Sequence, residues 1–387
     1  KRILALDILR GFTIAGMILV NNPGSWGHIY APLRHAEWNG LTPTDLVFPF
    51  FMFIMGISTY ISLKKYNFEF SQSAALKIVK RTIVIFLVGC AIGWFSRFCR
   101  YWVTAPEDLS FFENLWASVW TFDRMRILGV MQRLALCYGA ASIVALTVKH
   151  KRIPYIIATI LIGYFVILMC GNGYEYNETN ILSIVDRAIL TPTHMYKANG
   201  IDPEGLLSTL PSIAHVLLGF YVGKLMLDGN KSQDRMSFLN SQIVTLFLVG
   251  TILTFAGFLL SYGCPINKKI WSPTFVLTTC GLASSFLALL IWIIDVKGKK
   301  KWSLFFEAFG VNPLFMYVLG GVLGILFGCI RFPWEDGMIS IHTFLYKIVL
   351  MPVFGQTGGS LAYALLFVTI NWCIGYQLYK RKIYIKI

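Results

Sequence analysis

Charge is what this chain has least of. Charged residues fill 14% of its 387 positions against 56% for hydrophobic ones, and the mean hydropathy is +0.63. So little polar surface cannot cover a water-soluble globule, and the expected class is an all-α polytopic membrane protein. No stretch reads as a soluble domain, and no low-complexity linker interrupts the chain. Acid is scarcer still, with 19 Asp and Glu against 34 Lys and Arg and a net charge of +15. Nucleic acid is not needed to explain that excess, because the basic residues flank apolar runs in short clusters that suit anionic lipid headgroups. The eight cysteines form no C-x-x-C pair. Zinc-ligand spacings and phosphate-cradling glycine loops are likewise missing, so no metal is expected. Most of the cysteines, such as Cys90, Cys137, Cys280 and Cys373, lie inside apolar runs and read as small hydrophobes, whereas Cys99 and Cys264 can both face outward and bridge. The first apolar run carries Asp7 and Arg10 and lacks a small-residue cleavage site, so it is expected to be a retained signal anchor. No clear internal repeat announces an inverted-repeat transporter.

What is abundant is length of apolar run. A helix crosses the bilayer with roughly 20 residues, and such runs fall near 4–22, 45–63, 81–98, 127–148, 154–171, 206–227, 238–262, 273–294, 303–329 and 358–379. One side collects Lys1, Arg2, Lys64, Lys65, Lys77, Lys80, Arg81, Lys149, Lys151, Arg152, Lys231, Lys297, Lys299, Lys380 and Lys386. The other side holds fewer, among them Arg34, Arg97, Arg100, Arg126, Lys197 and Lys268. The positive-inside bias then puts both termini in the cytoplasm and His35 outside. If the source is bacterial, the host bilayer is the cytoplasmic (inner) membrane. The polar segments 99–125 and 172–205 fall outside as well, and 330–357, with Arg331, Asp336 and His342, reads as interfacial or re-entrant.

Ionisable residues at membrane depth call for a reason. His35 brings an imidazole, a side chain suited to act as a general base or a nucleophile; the bland alternative is an ordinary loop histidine. Asp45 can fix the His35 tautomer as a triad acid does, or it can close a capping box in Thr42-Pro43-Thr44-Asp45. Asn21 offers an amide to a developing oxyanion or an interhelical hydrogen bond. Glu37, Trp38 and Asn39 stand where they can bind substrate, although Trp38 equally suits an interfacial anchor. Arg10 pairs with Asp7 or meets an anionic ligand, while Arg133, beside Gln132, faces the bundle interior toward a carboxylate or a phosphate. Asn312-Pro313 should break the ninth helix, either to line a cavity or as a plain kink.

Taken together, Leu6-Asp7-Ile8-Leu9-Arg10-Gly11, His35-Ala36-Glu37-Trp38-Asn39-Gly40-Leu41 with Asp45-Leu46-Val47-Phe48-Pro49, and Arg126 to Leu134 resemble the heparan-alpha-glucosaminide N-acetyltransferase family. This is a branch of the transmembrane acyltransferases. Asp202-Pro203-Glu204-Gly205, Pro265-Ile266-Asn267-Lys268 and Tyr379-Lys380-Arg381 extend the likeness in family order. The resemblance implies one transmembrane acyltransferase domain over 1–387 without the extra luminal N-terminal domain of lysosomal relatives. It implies transfer of acetyl from cytoplasmic acetyl-CoA to the amine of a glucosamine-type sugar or glycan, and a homodimer. His35 and Asn21 match the family's active-site pair, with Asp45 beside them. Arg10, Gln132, Arg133 and Asn312 are the residues expected to meet CoA, and Glu37, Trp38 and Asn39 those expected to meet the acceptor. The competing class is an amino-sugar permease in which His35 and Asp45 handle protons.

Overall fold

The computed structural model describes residues 3–106, 108–196, 200–228, 234–335 and 337–385. Lys1, Arg2, Lys197, Lys231, Asp336 and Lys386 lie outside these ranges. In chain order the helices are α1 (Leu4–Asn21), α2 (Val47–Leu63), α3 (Gln72–Thr104), α4 (Phe111–Val119), α5 (Val130–Thr147), α6 (Ile153–Cys170) and α7 (Ile181–Leu190). They continue with α8 (Thr209–Leu227), α9 (Arg235–Leu260), α10 (Pro273–Ile291), α11 (Leu304–Val311) and α12 (Pro313–Cys329). A hairpin of β1 (Arg331–Trp334) and β2 (Gly337–Ser340) follows, then the single turn α13 (Ile341–Thr343) and the long α14 (Met351–Lys380). Among the described residues the chain is therefore an all-α polytopic membrane protein apart from that hairpin, which occupies Arg331–Ser340 within the segment 330–357.

Among the described residues, eight helices are long and apolar enough to cross a membrane, and up to nine if the bent pair α11–α12 counts as one span. The expected span 81–98 lies inside α3, which is not among them. Its 33 residues exceed what a crossing requires. Lys77 at its start donates to Tyr66 just past α2 (3.5 Å), whereas Arg97 near its end donates to the carbonyls of Thr121 and Arg124 before α5. α3 therefore runs antiparallel to α5 through the depth of the bundle.

The expected break at Asn312-Pro313 is a 78° bend. Proline has no N–H to give the preceding turn, and the side chain of Asn312 turns instead to the C-terminal tail. It donates to Ile383 O (2.8 Å) and accepts from Ile385 N (2.8 Å).

One buried cluster runs from Ala5 of α1 to Val368 of α14. Helices approach closely at glycines: a Cβ on Gly11 of α1 would strike the carbonyl of Phe306 in α11, one on Gly56 of α2 that of Val216 in α8, and one on Gly219 of α8 that of Phe53 in α2. With lipid as apolar as leucine, such backbone approach is what helix association in a bilayer relies on. At one end of the bundle Arg10 donates to Asp7 (3.0 Å) and to Ser58 of α2 (2.7 Å). Lys64 pairs with Asp228 at the same end. The loops carrying His35, the 172–180 segment and residues 261–272 gather at the opposite end.

Candidate active site

His35 sits between α1 and α2, and the local chemistry of the second helix start decides its partner. Thr42 caps a turn with Pro43 in its first position, and Asp45 three residues on closes the box. Asp45 Oδ2 accepts from the Thr42 amide (3.2 Å), the Thr42 hydroxyl (2.9 Å) and the Ala36 amide (3.0 Å). Its Oδ1 is left for His35 Nδ1 at 2.6 Å. The two readings of Asp45 thus hold together, one on each oxygen. The Asp45 side chain is 1% exposed and that of His35 43%, so a buried carboxylate orients an accessible ring. With Nδ1–H directed at the carboxylate, Nε2 keeps its lone pair for a proton or an acyl carbon.

Lys268 is the residue that sequence reasoning left without a role. It lies in the 261–272 loop, with Nζ 3.3 Å from Asp45 Oδ1 and 3.1 Å from His35 Nδ1. Burial pulls its pKa below the usual lysine value, and the Asp45 charge offsets part of that effect. The Pro265-Ile266-Asn267-Lys268 motif was the available signal, but nothing in it announces which histidine it would meet.

The same loop organises the expected acceptor residues. Asn39 Oδ1 accepts from Asn267 Nδ2 (3.1 Å), and the Gly40 amide donates to Ile266 O (2.8 Å). Trp38 Nε1 donates to Tyr174 O (2.8 Å), and its ring stacks on Tyr176 with centroids 4.5 Å apart. Lys269 lies over the other ring of that pair, 4.4 Å from the Tyr176 centroid. Trp38 is thus held by protein on one edge and one face, while Glu37 faces solvent. Cys264 accepts from the Tyr174 hydroxyl (2.9 Å). Cys99 instead lines an apolar groove with Cys329, so the bridge expected between Cys99 and Cys264 does not form and both are free thiols.

Asn21, the last residue of α1, opens into a cavity of about 590 Å³ bounded by α1, α3, α12, the hairpin and α14. Arg100, Arg331, His342, Tyr317 and Tyr363 share its wall, and His35 is not among its lining residues. His342 brings an imidazole to the wall of this cavity, and its sequence position gave no reason to place it beside Asn21.

The four residues expected to meet CoA do not gather at one place. Arg10 is tied to Asp7 and Ser58 at the far end of α1, where Asn312 holds the C-terminal tail. Gln132 packs against α3 with Nε2 3.6 Å from Cys90 Sγ. Arg133 is buried near the start of α5, where it donates to Ser208 and to Gly205 O and lies 5.2 Å from the Trp271 ring centroid. Its Nε and Nη1 have no partner among the described residues. Seven residues earlier, before α5 begins, Arg126 pairs with Asp202 and Glu204. Asp186 accepts from the Leu206 amide (2.8 Å), and burial pushes its pKa up to about 6.

Residues 2–257 match the family model described as heparan-alpha-glucosaminide N-acetyltransferase, catalytic. The heparan-alpha-glucosaminide N-acetyltransferase of Homo sapiens is 27% identical over 374 residues, which cover 82% of this chain and 52% of the human protein. That of Mus musculus is 26% identical over 451 aligned residues, covering 100% of this chain and 61% of the mouse protein. The chain thus spans between half and two thirds of the length of these relatives.

Proposed function

Because this chain belongs to the heparan-alpha-glucosaminide N-acetyltransferase catalytic family, we propose that it carries acetyl from cytoplasmic acetyl-CoA to the amine of a glucosamine-type sugar on the far side of the membrane. In this reading both termini face the cytoplasm, the chain acts as one transmembrane acyltransferase domain, and it works as a homodimer. The observation that carries the proposal is the 2.6 Å contact between His35 Nδ1 and the buried carboxylate of Asp45, which leaves Nε2 accessible at the end of the bundle where α1 delivers Asn21.

The chemistry follows from those atoms. The amine nitrogen attacks the thioester carbon, and His35 Nε2 takes the proton that the nitrogen loses. The carbonyl oxygen gains the charge and is met by the Asn21 side-chain amide. The C–S bond then breaks and CoA leaves as the thiolate or thiol. In the covalent variant Nε2 itself attacks the carbonyl and is acetylated before the amine arrives. Arg10 and Arg133 are the guanidiniums proposed to meet CoA phosphates along the bundle, with Gln132 and Asn312 as polar neighbours. Glu37, Trp38 and Asn39 are proposed to border the acceptor.

Reconstitution with acetyl-CoA inside liposomes and glucosamine outside tests the proposal. His35→Ala should lower transfer by at least about 10²-fold, and Asn21→Ala by about 10²-fold. Glucosamine accumulation without acetylation, indifferent to CoA, would establish a permease instead. Labelled acetyl-CoA without sugar separates the two routes: label retained on wild type but not on His35→Ala marks the covalent one.

A further inference from the structure

An amino sugar reaches an enzyme at neutral pH largely as its ammonium ion, so two protons must leave the nitrogen before an amide stands. One departs before attack, because only the neutral amine has a lone pair. The other departs from the adduct. A single imidazole that takes the first proton is no longer a base for the second. The acetyl-transfer reading above gives His35 the later proton and assigns nothing to the earlier one.

We propose, resting on that reading, that His342 takes the first proton, converting the acceptor's ammonium group to the free amine inside the cavity beside Asn21. Three observations support the assignment. His342 shares the wall of that cavity with Asn21, whereas His35 does not line it. Its ring is held edge-on to Tyr363 with centroids 4.7 Å apart, and Nε2 lies 3.4 Å from the Pro23 carbonyl, two residues past Asn21. A hydrogen on Nε2 directed at that carbonyl leaves Nδ1 as the proton acceptor.

The third observation is charge. Besides His342, the charged and titratable groups lining the cavity are Arg100 from α3, Arg331 from β1, Cys329 and Tyr317 from α12 and Tyr363 from α14, and no carboxylate is among the lining residues. Neither arginine has an ion-pair partner among the described residues. The two guanidiniums disfavour an ammonium ion beside them and favour the neutral amine, and His342 relays the released proton to solvent. Arg331, His342, Tyr317 and Tyr363 all lie beyond residue 257, outside the segment matched by the family model. The step balances: the N–H bond of the ammonium breaks, Nδ1–H forms, and the electron pair stays on the nitrogen that attacks.

The test is the ratio of kcat/KM between His342→Gln and wild type, measured against pH with glucosamine. The ratio cancels every pH effect that both proteins share. It should be about 0.05 near pH 6.5, the share of acceptor already present there as free amine, and approach unity near pH 9, where the acceptor arrives mostly in that form. With O-methylhydroxylamine, neutral at pH 7, the ratio should stay within about threefold of unity. His35→Ala should be inactive across the whole range. Arg331→Gln should show the same pH trend at smaller amplitude, which keeps the idea testable if the glutamine variant does not elute as a monodisperse peak. A ratio that is constant with pH, or equal for the two acceptors, overturns the role of His342 and leaves acetyl transfer standing. Wild type inactive toward both acceptors sinks the acetyl-transfer reading and this inference with it.

Discussion

Asp45→Asn separates orientation from scaffolding, because the two oxygens of Asp45 serve different partners. Oδ2 collects the Thr42 and Ala36 donors, and an asparagine carbonyl can accept all three of those bonds. The other position, 2.6 Å from His35 Nδ1, becomes an NH₂ donor. Two donors cannot face each other, so the imidazole must present an unprotonated Nδ1 and move its hydrogen to Nε2. The nitrogen needed as base or nucleophile then carries a proton. Where the same exchange has been made in a serine protease triad, activity fell about 10⁴-fold with the geometry intact; at 1.36 kcal/mol per decade this is about 5 kcal/mol of barrier. Here His35 is 43% exposed and less rigidly held, so a loss of about 10²- to 10³-fold is expected. Folding should lose about 3 kcal/mol, because the asparagine NH₂ also leaves the Lys268 ammonium, 3.3 Å from that position, without its counter-charge. Asp45→Ala strands Lys268 in the same way and in addition removes the cap, worth about 1 kcal/mol more. The assay is initial acetyl transfer at saturating donor beside the apparent Tm in detergent. An asparagine variant within threefold of wild type, or an alanine variant melting with wild type, would refute the reasoning.

Two further outcomes test the scaffold. Asp186 has its pKa raised to about 6 by burial, so between about pH 4 and pH 6 the folded chain holds a proton that the unfolded chain has lost. Stability from this group therefore falls as pH rises through that window, by up to about 3 kcal/mol. In Asp186→Asn the Leu206 amide keeps an acceptor and the slope should vanish; Tm–pH curves that stay parallel for wild type and variant would count against it. Gly56→Val drives a Cβ into the Val216 carbonyl and should lower Tm through about 1–3 kcal/mol of overpacking between α2 and α8, read by the same melting assay. An unchanged Tm would mean that these two backbones are not in contact.

The membrane class, most spans and the break at Asn312 were legible because each follows from local composition: apolar length for the spans, proline chemistry for the bend. The pairing of His35 with Asp45 was legible for a related reason, since ten residues and a capped turn separate them and few geometries remain. The hairpin at Arg331–Ser340 was not anticipated, because two four-residue strands carry too little alternation to stand out. Nor were α4 and α7 separated from the polar segments that hold them, although Ser110 and Asn180 cap both. The bridge expected between Cys99 and Cys264 failed because topology told only that both faced one side.

By itself the sequence determined what kind of solvent surrounds this protein, and which family-matching residues stand at the exposed start of α2. Apolar run length and short-range hydrogen bonding act over a few residues and need no knowledge of distant neighbours. Only the tertiary structure decided that Lys268 reaches the His35–Asp45 pair across 233 residues of chain, and that Asn21 shares its cavity with His342 while the four residues expected at CoA lie apart. Those arrangements depend on which helices pack together, and that is settled by close backbone approach at glycines and by side-chain fit, neither of which is written in any single stretch of the chain.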